Sequence, residues 1–413
     1  MGYARKDEYT MKNAVMYGGG NIGRGFIGTL FSASGYKTTF IDVAPAVVDG
    51  LNQRTKYPVR IISAEGFEDV DVINVAAVNG NDTELAASTI AKCDILATAV
   101  GVNILKFIIP NLVNGIKLRK QLGLGALNII ICENLMDANK VLERMLKEHL
   151  NDEECKWFDE NIGLVEASIG RMVPIQTDEM KDGDPLRVCV ERYGYLPVDK
   201  DAFKGEIPDI KNMIPFAPFD FYIKRKLYIH NMGHATCAYL GDLLGLEYIW
   251  ESIDRDEVYI IVKGAMEESA LALSKHYKVS LEDIIKHIND LLLRFTNKAL
   301  KDTCFRVGGD PKRKLSPADR LIGSSLLAQK NGITPAYISI GAAAALNRFI
   351  KEDPELEQGE ENALKVLKEV SGLEKEDELT KLIIANYTSI INGEDIKTLR
   401  VRADKAKQNL NVI

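Results

Sequence analysis

The chain contains no apolar run approaching the roughly 20 residues of a membrane-spanning helix, and no signal-peptide core near its start. Myristoylation at Gly2 would need Ser or Thr at position 6, where Lys6 stands. Basic charge is not in excess: 52 Lys and Arg against 59 Asp and Glu leave a net charge of −7. That balance argues against a general affinity for nucleic acid or for anionic membranes. Cysteine is sparse and scattered (Cys93, Cys132, Cys155, Cys189, Cys237, Cys304) with no C-x-x-C. Such usage reads as reduced thiols in a cytoplasmic protein. No internal repeat is visible. What remains is a soluble globular composition, 46% apolar and 27% charged, spread over 413 residues. That length exceeds one ordinary core, so two domains are expected.

The most informative segment is residues 14–42. A short β-rich apolar run, Ala14–Tyr17, leads into Gly18-x-Gly20-x-x-Gly23. A helix-period stretch (Phe26, Ile27, Leu30, Phe31) follows, then a second strand, Thr38–Ile41, ending in Asp42. This is the order of a dinucleotide-binding βαβ unit. Gly18 makes the tight turn, Gly20 admits a pyrophosphate to the backbone, and Gly23 lets helix and strand pack closely. Asn21 and Ile22 sit at the helix N-terminus, whose free N–H groups suit phosphate. Asp42 lies 19 residues past Gly23, near the ~20 expected of the acid that binds the adenosine ribose hydroxyls. A carboxylate there would repel a 2′-phosphate, which favours NAD over NADP.

Strands and helices alternate through the first half. A hairpin is expected from Val59–Ser63 and Asp69–Val75, a helix near Thr83–Lys92, and strands at Asp94–Ala99 and Asn128–Cys132. Ligands on open parallel sheets bind beyond the carboxyl ends of strands. Thr98, Val100 and Gly101 are therefore expected to line the cofactor, and Glu133-Asn134 marks a second such end. The β-like segment 186–195 is expected to close this domain. From about residue 216 long amphipathic helical patterns take over: Asp254–Tyr277, Leu281–Ala299, Pro317–Lys330 and Pro335–Lys351. The charged tail from 352 keeps periodic leucines and reads as surface helices. The expected organisation is α/β: a polar N-terminal extension (1–12), an NAD-binding Rossmann-type domain (13–205) and a mostly α-helical substrate domain (206–413), with the active site in the cleft between the two.

A second constellation lies in Lys226-x4-Asn231-x2-His234. On an α-helix, with Lys226 at zero, His234 falls near about 80° and Asn231 near about 140°. All three then share one broad face with His230, and Gly233 leaves room there for a backbone or a ligand. Oxidising an alcohol requires a base for the hydroxyl proton, and a buried lysine beside other cations can have its pKa lowered enough to serve. Neutral amides hold the developing oxygen charge without competing for the proton; Asn231 and Asn134 are the candidates, with His234 orienting the substrate oxygen or the lysine. The plainer alternatives are a solvated lysine and a core histidine. His230 and His234, at i and i+4, also suit zinc, but no third ligand is near in sequence. A third constellation, Arg306 to Arg320, gathers Arg306, Lys312, Arg313, Lys314 and Arg320 around Gly308 and Gly309. It reads equally as a phosphate pocket or as a solvated charge run.

Taken together, GGGNIGRGFIG, the strand end TAVG (98–101), Cys132-Glu133-Asn134, KL-x3-N-x-GH (226–234), KGAMEES (263–269) and R-x6-RKLS-x2-DRL (306–321) resemble the mannitol-1-phosphate 5-dehydrogenases, a branch of the polyol-specific long-chain dehydrogenases within the mannitol dehydrogenase family. The resemblance spans roughly residues 13–350. It implies an NAD(H)-dependent, metal-independent oxidoreductase that interconverts D-mannitol 1-phosphate and D-fructose 6-phosphate. It further implies Lys226 as general acid/base, with Asn134, Asn231 and His234 around the reacting oxygen, and Arg306, Arg313, Lys314 and Arg320 toward the substrate phosphate. The alternative is a sister enzyme acting on an unphosphorylated polyol or hexuronate, such as a mannitol 2-dehydrogenase or a tagaturonate or fructuronate reductase. Three departures bear on this: Gly309 and Lys312 differ from typical sequences within the cationic run, and two more lie elsewhere. Ile169-Gly170-Arg171 stands where the family typically carries Val-Asp-Arg. Ile223 occupies a position where mannitol 2-dehydrogenases tend to carry glutamate, which favours the phosphorylated substrate. The expected partner is a small sugar phosphate or polyol, with neither nucleic acid nor membrane; subunit number is left open.

Overall fold

The structure, a computed structural model, describes residues 11–63, 66–135, 137–174 and 176–408. Residues 1–10 of the expected N-terminal extension, and the last five residues of the expected helical domain, lie outside them. The chain divides into two compact units, Met1–Phe219 and Asp220–Ile413. The division falls later than the expected 205/206 because a short strand at Met213–Phe216 pairs in parallel with Leu196–Asp199 and so belongs to the first unit.

Eleven strands are assigned among the described residues of the first unit: β1 (Asn13–Tyr17), β2 (Lys37–Asp42), β3 (Lys56–Ser63), β4 (Gly66–Ile73), β5 (Val75–Asn79), β6 (Ile95–Thr98), β7 (Leu127–Ile131), β8 (Ile162–Glu166), β9 (Val188–Glu191), β10 (Leu196–Asp199) and β11 (Met213–Phe216). Six of them form a parallel sheet in the order β5-β2-β1-β6-β7-β8. The order reverses between β1 and β6, where Tyr17 stands opposite Thr98, so the crevice that binds ligands in such sheets opens at these two strand ends. Alternation along β1 explains the two-sided core. Ala14 and Met16 pack with Phe26, Phe40 and Tyr57 on one face, while Val15 and Tyr17 pack with Ile41, Leu96, Leu112 and Ile129 on the other. The crossovers include the helices α1 (Gly28–Ala33), α2 (Pro45–Arg54), α3 (Thr83–Lys92), α4 (Leu105–Gln121), α5 (Ala138–Lys147) and α6 (Asp152–Asn161).

The hairpin β3–β4 is antiparallel as expected, but Val75 begins β5 rather than ending the hairpin. Segment 186–195 does add a strand. β9 joins β3 of the hairpin in a separate three-stranded sheet, not the main one.

The second unit is helical. It runs through a helix α7 (Asp220–Arg225), a π-helical turn (Lys226–Asn231), α8 (Met232–Leu243), α9 (Ile249–Ile253), α10 (Asp256–Tyr277), α11 (Leu281–Phe295), α12 (Cys304–Gly308), α13 (Pro311–Lys314), α14 (Ile322–Lys330), α15 (Ile338–Glu352), α16 (Glu360–Ser371), α17 (Glu378–Ile391) and α18 (Ile396–Gln408). Met232, Ala235, Cys237, Ala238 and Leu240 make α8 the buried axis of this unit. The segment 317–321 precedes α14 without being helical, and α11 ends at Phe295 rather than Ala299. The tail is helical, as expected, and each helix turns one face to the core. Leu367, Leu379, Ile383, Tyr387 and Leu399 are buried, so its apolar stripes complete the core while its charges face water. Glu268, fully buried on α10, accepts the backbone N–H groups of Tyr337 and Ile338 at the start of α15, and Lys407 of α18 approaches it at 3.6 Å. A buried carboxylate is tolerated there because the helix N-terminus supplies donors and partial positive charge. No described helix is long and apolar enough to cross a membrane.

Candidate active site

The glycine-rich turn follows β1 directly. Gly18 adopts φ of +102°, and a Cβ there would meet the Ala99 carbonyl oxygen at 2.5 Å. A Cβ on Gly23 would stand 1.9 Å from the Gly18 oxygen, so close helix–strand packing excludes any side chain. Gly20 faces open space, with nothing within 4 Å of its Cβ direction, and Asn21 beside it is exposed. Asp42 accepts the Gly19 N–H at 2.6 Å and the Ala44 N–H at 2.9 Å, which sets its carboxylate beside the turn. The helix after the turn opens as a π-helical stretch, Gly23–Ile27, before α1. These features suit a dinucleotide: room for a pyrophosphate over Gly20, helix N–H groups near Asn21 and Ile22, and an acid at the end of β2.

Two residues hold the loops around these strand ends in roles the sequence did not reveal. The buried Arg24 donates from Nε to the Gly19 carbonyl at 2.6 Å and from its terminal nitrogen to the Leu186 carbonyl, tying the loop to the segment before β9. Glu133, buried after β7, accepts the Val100 N–H at 2.9 Å and the Gly101 N–H at 2.8 Å, which fixes the loop after β6. Thr98 is fully buried in β6, whereas Val100 is half-buried and Gly101 exposed. Asn134 is exposed just past β7. At Gly170 a Cβ would lie 3.0 Å from the Tyr193 ring, so that ring occupies the space toward which a side chain would point. Arg171 donates to the carbonyls of Tyr193 and Gly25 and lies 4.8 Å over the Phe26 ring.

In the second unit Lys226 and Asn231 sit on the π-helical turn, and His234 on the regular α8 that follows. The Met232 N–H reaches back five residues to the Leu227 carbonyl. One extra residue per turn brings position i+5 above position i, so Lys226 and Asn231 are stacked one turn apart and His234 follows three residues on along α8. The geometry of that segment is therefore set by the wider turn and not by the regular 100° step assumed from the sequence. Lys226 is partly buried and, among the described residues, carries neither an ion pair nor a hydrogen bond. Burial, and after it the Arg320 guanidinium, bring its pKa from 10.5 down to about 8. The Asn231 amide likewise has no hydrogen-bond partner among the described residues. Gly233 does not face a ligand: a Cβ there would meet the Met266 thioether at 2.7 Å, so it serves the close approach of α10.

His234 is held on two sides. Its Nε2 lies 3.2 Å from Asp302 Oδ2, and its ring stacks on Phe295 at 4.8 Å and 15°. Asp302, 68 positions away in the chain, is a site residue that spacing did not reveal. His230 is buried behind, 6.1 Å from His234, with Nδ1 lacking a hydrogen-bond partner. Burial, then Arg294, His234, His287 and Lys226, push its pKa well below the usual range, so its ring is neutral. No group of three or more His, Cys, Asp or Glu among the described residues is placed to hold a metal ion.

The cationic run separates into different environments. Arg306 pairs with Asp302, Arg313 with Asp310 and Asp319, and Arg320 with Asp319. Lys314 is buried at 4% exposure and has no carboxylate partner within ion-pair distance among the described residues. Burial, then Arg320 and Arg313, lower its pKa to about 8. The Arg320 charge thus contributes to lowering both Lys226 and Lys314.

Residues 12–212 match the mannitol dehydrogenase Rossmann domain, and residues 219–397 match the mannitol dehydrogenase C-terminal domain. Over 385 residues the chain is 36% identical to the mannitol-1-phosphate 5-dehydrogenase of Thermoanaerobacter pseudethanolicus (strain ATCC 33223 / 39E), covering 92% of this chain and 98% of that protein. Among solved structures it is similar to a substrate-free D-sorbitol dehydrogenase, at a TM-score of 0.77 and 14% identity over 94% of this chain and 95% of that one. It is also similar to the mannitol 2-dehydrogenase of Pseudomonas fluorescens in ternary complex with NAD and D-mannitol, at a TM-score of 0.70 and 14% identity over 95% and 94%. At that identity the two structures speak for the fold alone. Both domain matches and the extent of the relative lead to one conclusion: the chain belongs to the mannitol dehydrogenase family.

Proposed function

We propose that the chain is an NAD-dependent dehydrogenase that interconverts D-mannitol 1-phosphate and D-fructose 6-phosphate, with Lys226 as general acid/base. The observation that carries this reading is Lys226 itself: a partly buried amine without a carboxylate partner, its pKa near 8, in line with Asn231 and His234. The 36% identity to a mannitol-1-phosphate 5-dehydrogenase supports the same substrate.

In this reading Gly18, Gly20, Asn21, Ile22 and Gly23 hold the pyrophosphate, Asp42 the adenosine ribose, and Val100 and Gly101 border the cofactor. When bound, the nicotinamide would supply a two-electron acceptor for the hydride released from the carbon that bears the reacting hydroxyl. The neutral Lys226 amine accepts the hydroxyl proton as the C=O bond forms, and its ammonium returns a proton to the oxygen in the reverse direction. Asn231 and Asn134 donate to the oxygen as charge develops, and His234 orients it. The overall balance is D-mannitol 1-phosphate + NAD⁺ ⇌ D-fructose 6-phosphate + NADH + H⁺. Lys314 and Arg320 are the proposed phosphate anchors, with Arg306 and Arg313 at the edge. The proposed setting is the cytoplasm, in keeping with six free thiols.

One observation favours the sister reading on an unphosphorylated polyol or hexuronate: Arg306, Arg313 and Arg320 already have aspartate partners. NADH oxidation with fructose 6-phosphate, fructose and tagaturonate decides between them. Preference for fructose 6-phosphate supports the proposal, and preference for an unphosphorylated substrate overturns it in favour of the sister branch.

A further inference from the structure

We propose that Asp302 is the positioning residue of the site: it fixes the tautomer and ring plane of His234 and so determines which nitrogen the histidine presents to substrate. The inference rests on the reading of His234 as a residue that orients the reacting oxygen.

Both carboxylate oxygens of Asp302 are engaged. Oδ2 faces His234 Nε2 at 3.2 Å, and Oδ1 accepts Arg306 Nε at 2.9 Å together with a second Arg306 nitrogen. The carboxylate therefore cannot rotate without losing one partner. Its backbone is also clamped. Ile249 N–H donates to the Asp302 carbonyl at 2.9 Å, Cys304 N–H donates to the Glu247 carbonyl at 2.8 Å, and Thr303 bridges to Tyr248. Over the face of the imidazole, the stacked Phe295 ring leaves rotation about Cβ–Cγ little space. The two side chains are 15% and 11% exposed, so water competes weakly for the contact. Burial alone would push the Asp302 carboxyl upward, but His234 and Arg306 outweigh it and hold the group ionised at neutral pH.

An ionised carboxylate only accepts, so its pairing with His234 selects the tautomer in which Nε2 carries the proton. Nδ1 then keeps its lone pair and presents an acceptor, suited to a substrate hydroxyl or to the Lys226 ammonium. This is the logic of a carboxylate that sets an imidazole tautomer without itself exchanging a proton. Without Asp302 the ring could adopt either tautomer, and one of them presents a donor where an acceptor is needed.

The test uses the full-length protein with NADH bound and ¹⁵N-labelled histidine, the His234 signals being those lost in His234→Ala. In the parent protein the ring shifts should report Nε2 as the protonated nitrogen at neutral pH. Asp302→Ala should give a mixture of tautomers and lower kcat by roughly 10- to 100-fold, the worth of a charge-assisted hydrogen bond, while KM stays within a few-fold. Asp302→Asn, which can still accept the Nε2 proton, should retain the tautomer and exceed the Ala variant in kcat, which keeps the test valid if Asp302→Ala folds poorly. The double variant with His234→Ala should be no slower than His234→Ala alone. An unchanged tautomer in Asp302→Ala, an Asn variant no better than Ala, or losses that multiply in the double variant would each overturn the proposal. Unchanged kcat in His234→Ala is a different failure: it removes the catalytic reading of His234, while the ring shifts still report whether Asp302 sets the tautomer.

Discussion

Replacing Arg320 with Gln removes the charge that, after burial, does most to depress the Lys226 pKa. At pH 7 an amine with a pKa near 8 is about one-tenth neutral, against about 0.03% at the ordinary value, so the site gains roughly 300-fold in available base. Burial is the larger cause, so the arginine accounts for less than half of the fall from 10.5 to about 8. Its removal should let the pKa rise by about one pH unit at most. The sign follows from the chemistry. Alcohol oxidation needs the neutral amine and rises through the Lys226 pKa; ketone reduction needs the ammonium and falls above it. The rising limb of kcat for oxidation should therefore sit near 8 in the parent and move upward by up to about one pH unit in Arg320→Gln. Oxidation at pH 7 should slow by up to about tenfold, and the two curves should converge near pH 10. The assay is NADH formation at saturating polyol phosphate and NAD⁺, repeated with deuterium at the reacting carbon so that the profile reports the hydride step. A limb that stays in place or moves downward refutes the electrostatic coupling, and an equal limb in Lys226→Ala refutes the assignment to lysine.

Three further outcomes are expected. Lys314→Ala should raise KM for fructose 6-phosphate at least tenfold while leaving weak turnover of fructose unchanged, because an unpaired buried ammonium is a strong phosphate ligand; equal effects on both ketoses would return Lys314 to a structural role. Glu133→Gln keeps the shape of the carboxylate but can accept only one of the Val100 and Gly101 N–H groups without repulsion, so Kd for NADH by fluorescence titration should rise about tenfold; unchanged affinity would show that the loop does not depend on Glu133. Glu268 has a folded pKa raised from 4.5 to about 7, chiefly by burial. The stability it contributes is full below pH 4.5 and is lost as pH rises through 7, a swing on the order of 3 kcal/mol. Urea unfolding at pH 5 and pH 8 should show that fall in the parent and not in Glu268→Gln; parallel behaviour of the two proteins would contradict the assignment.

The dinucleotide half was legible because its constraints are local. The turn, the helix and the next strand are consecutive, and the steric limits at Gly18 and Gly23 act over a few residues. The helical character of the Lys226–His234 segment was legible but its π-helical turn was not, since helical periodicity assumes regular turns and nothing in KLYIHN announces a wider one. Asp302, Arg24 and Glu133 were missed for a different reason. Each acts through a contact to backbone or side chain far away in sequence, and each residue type is common on a solvated surface. The division of the chain shifted because β10 and β11 are four-residue strands, one opening LP and the other carrying Pro215, too short and too irregular for a period-2 pattern. The tail was legible as helices because its leucines keep a helical period despite the charge around them.

The most direct measurement is turnover of fructose 6-phosphate by Lys226→Ala alongside its affinity for NADH. Loss of kcat by 10²-fold or more, with Kd for NADH within a few-fold of the parent and partial recovery on adding a small primary amine, is the predicted result. Turnover close to the parent, or NADH affinity lost in step with activity, would contradict the role of Lys226 as the acid/base of this site.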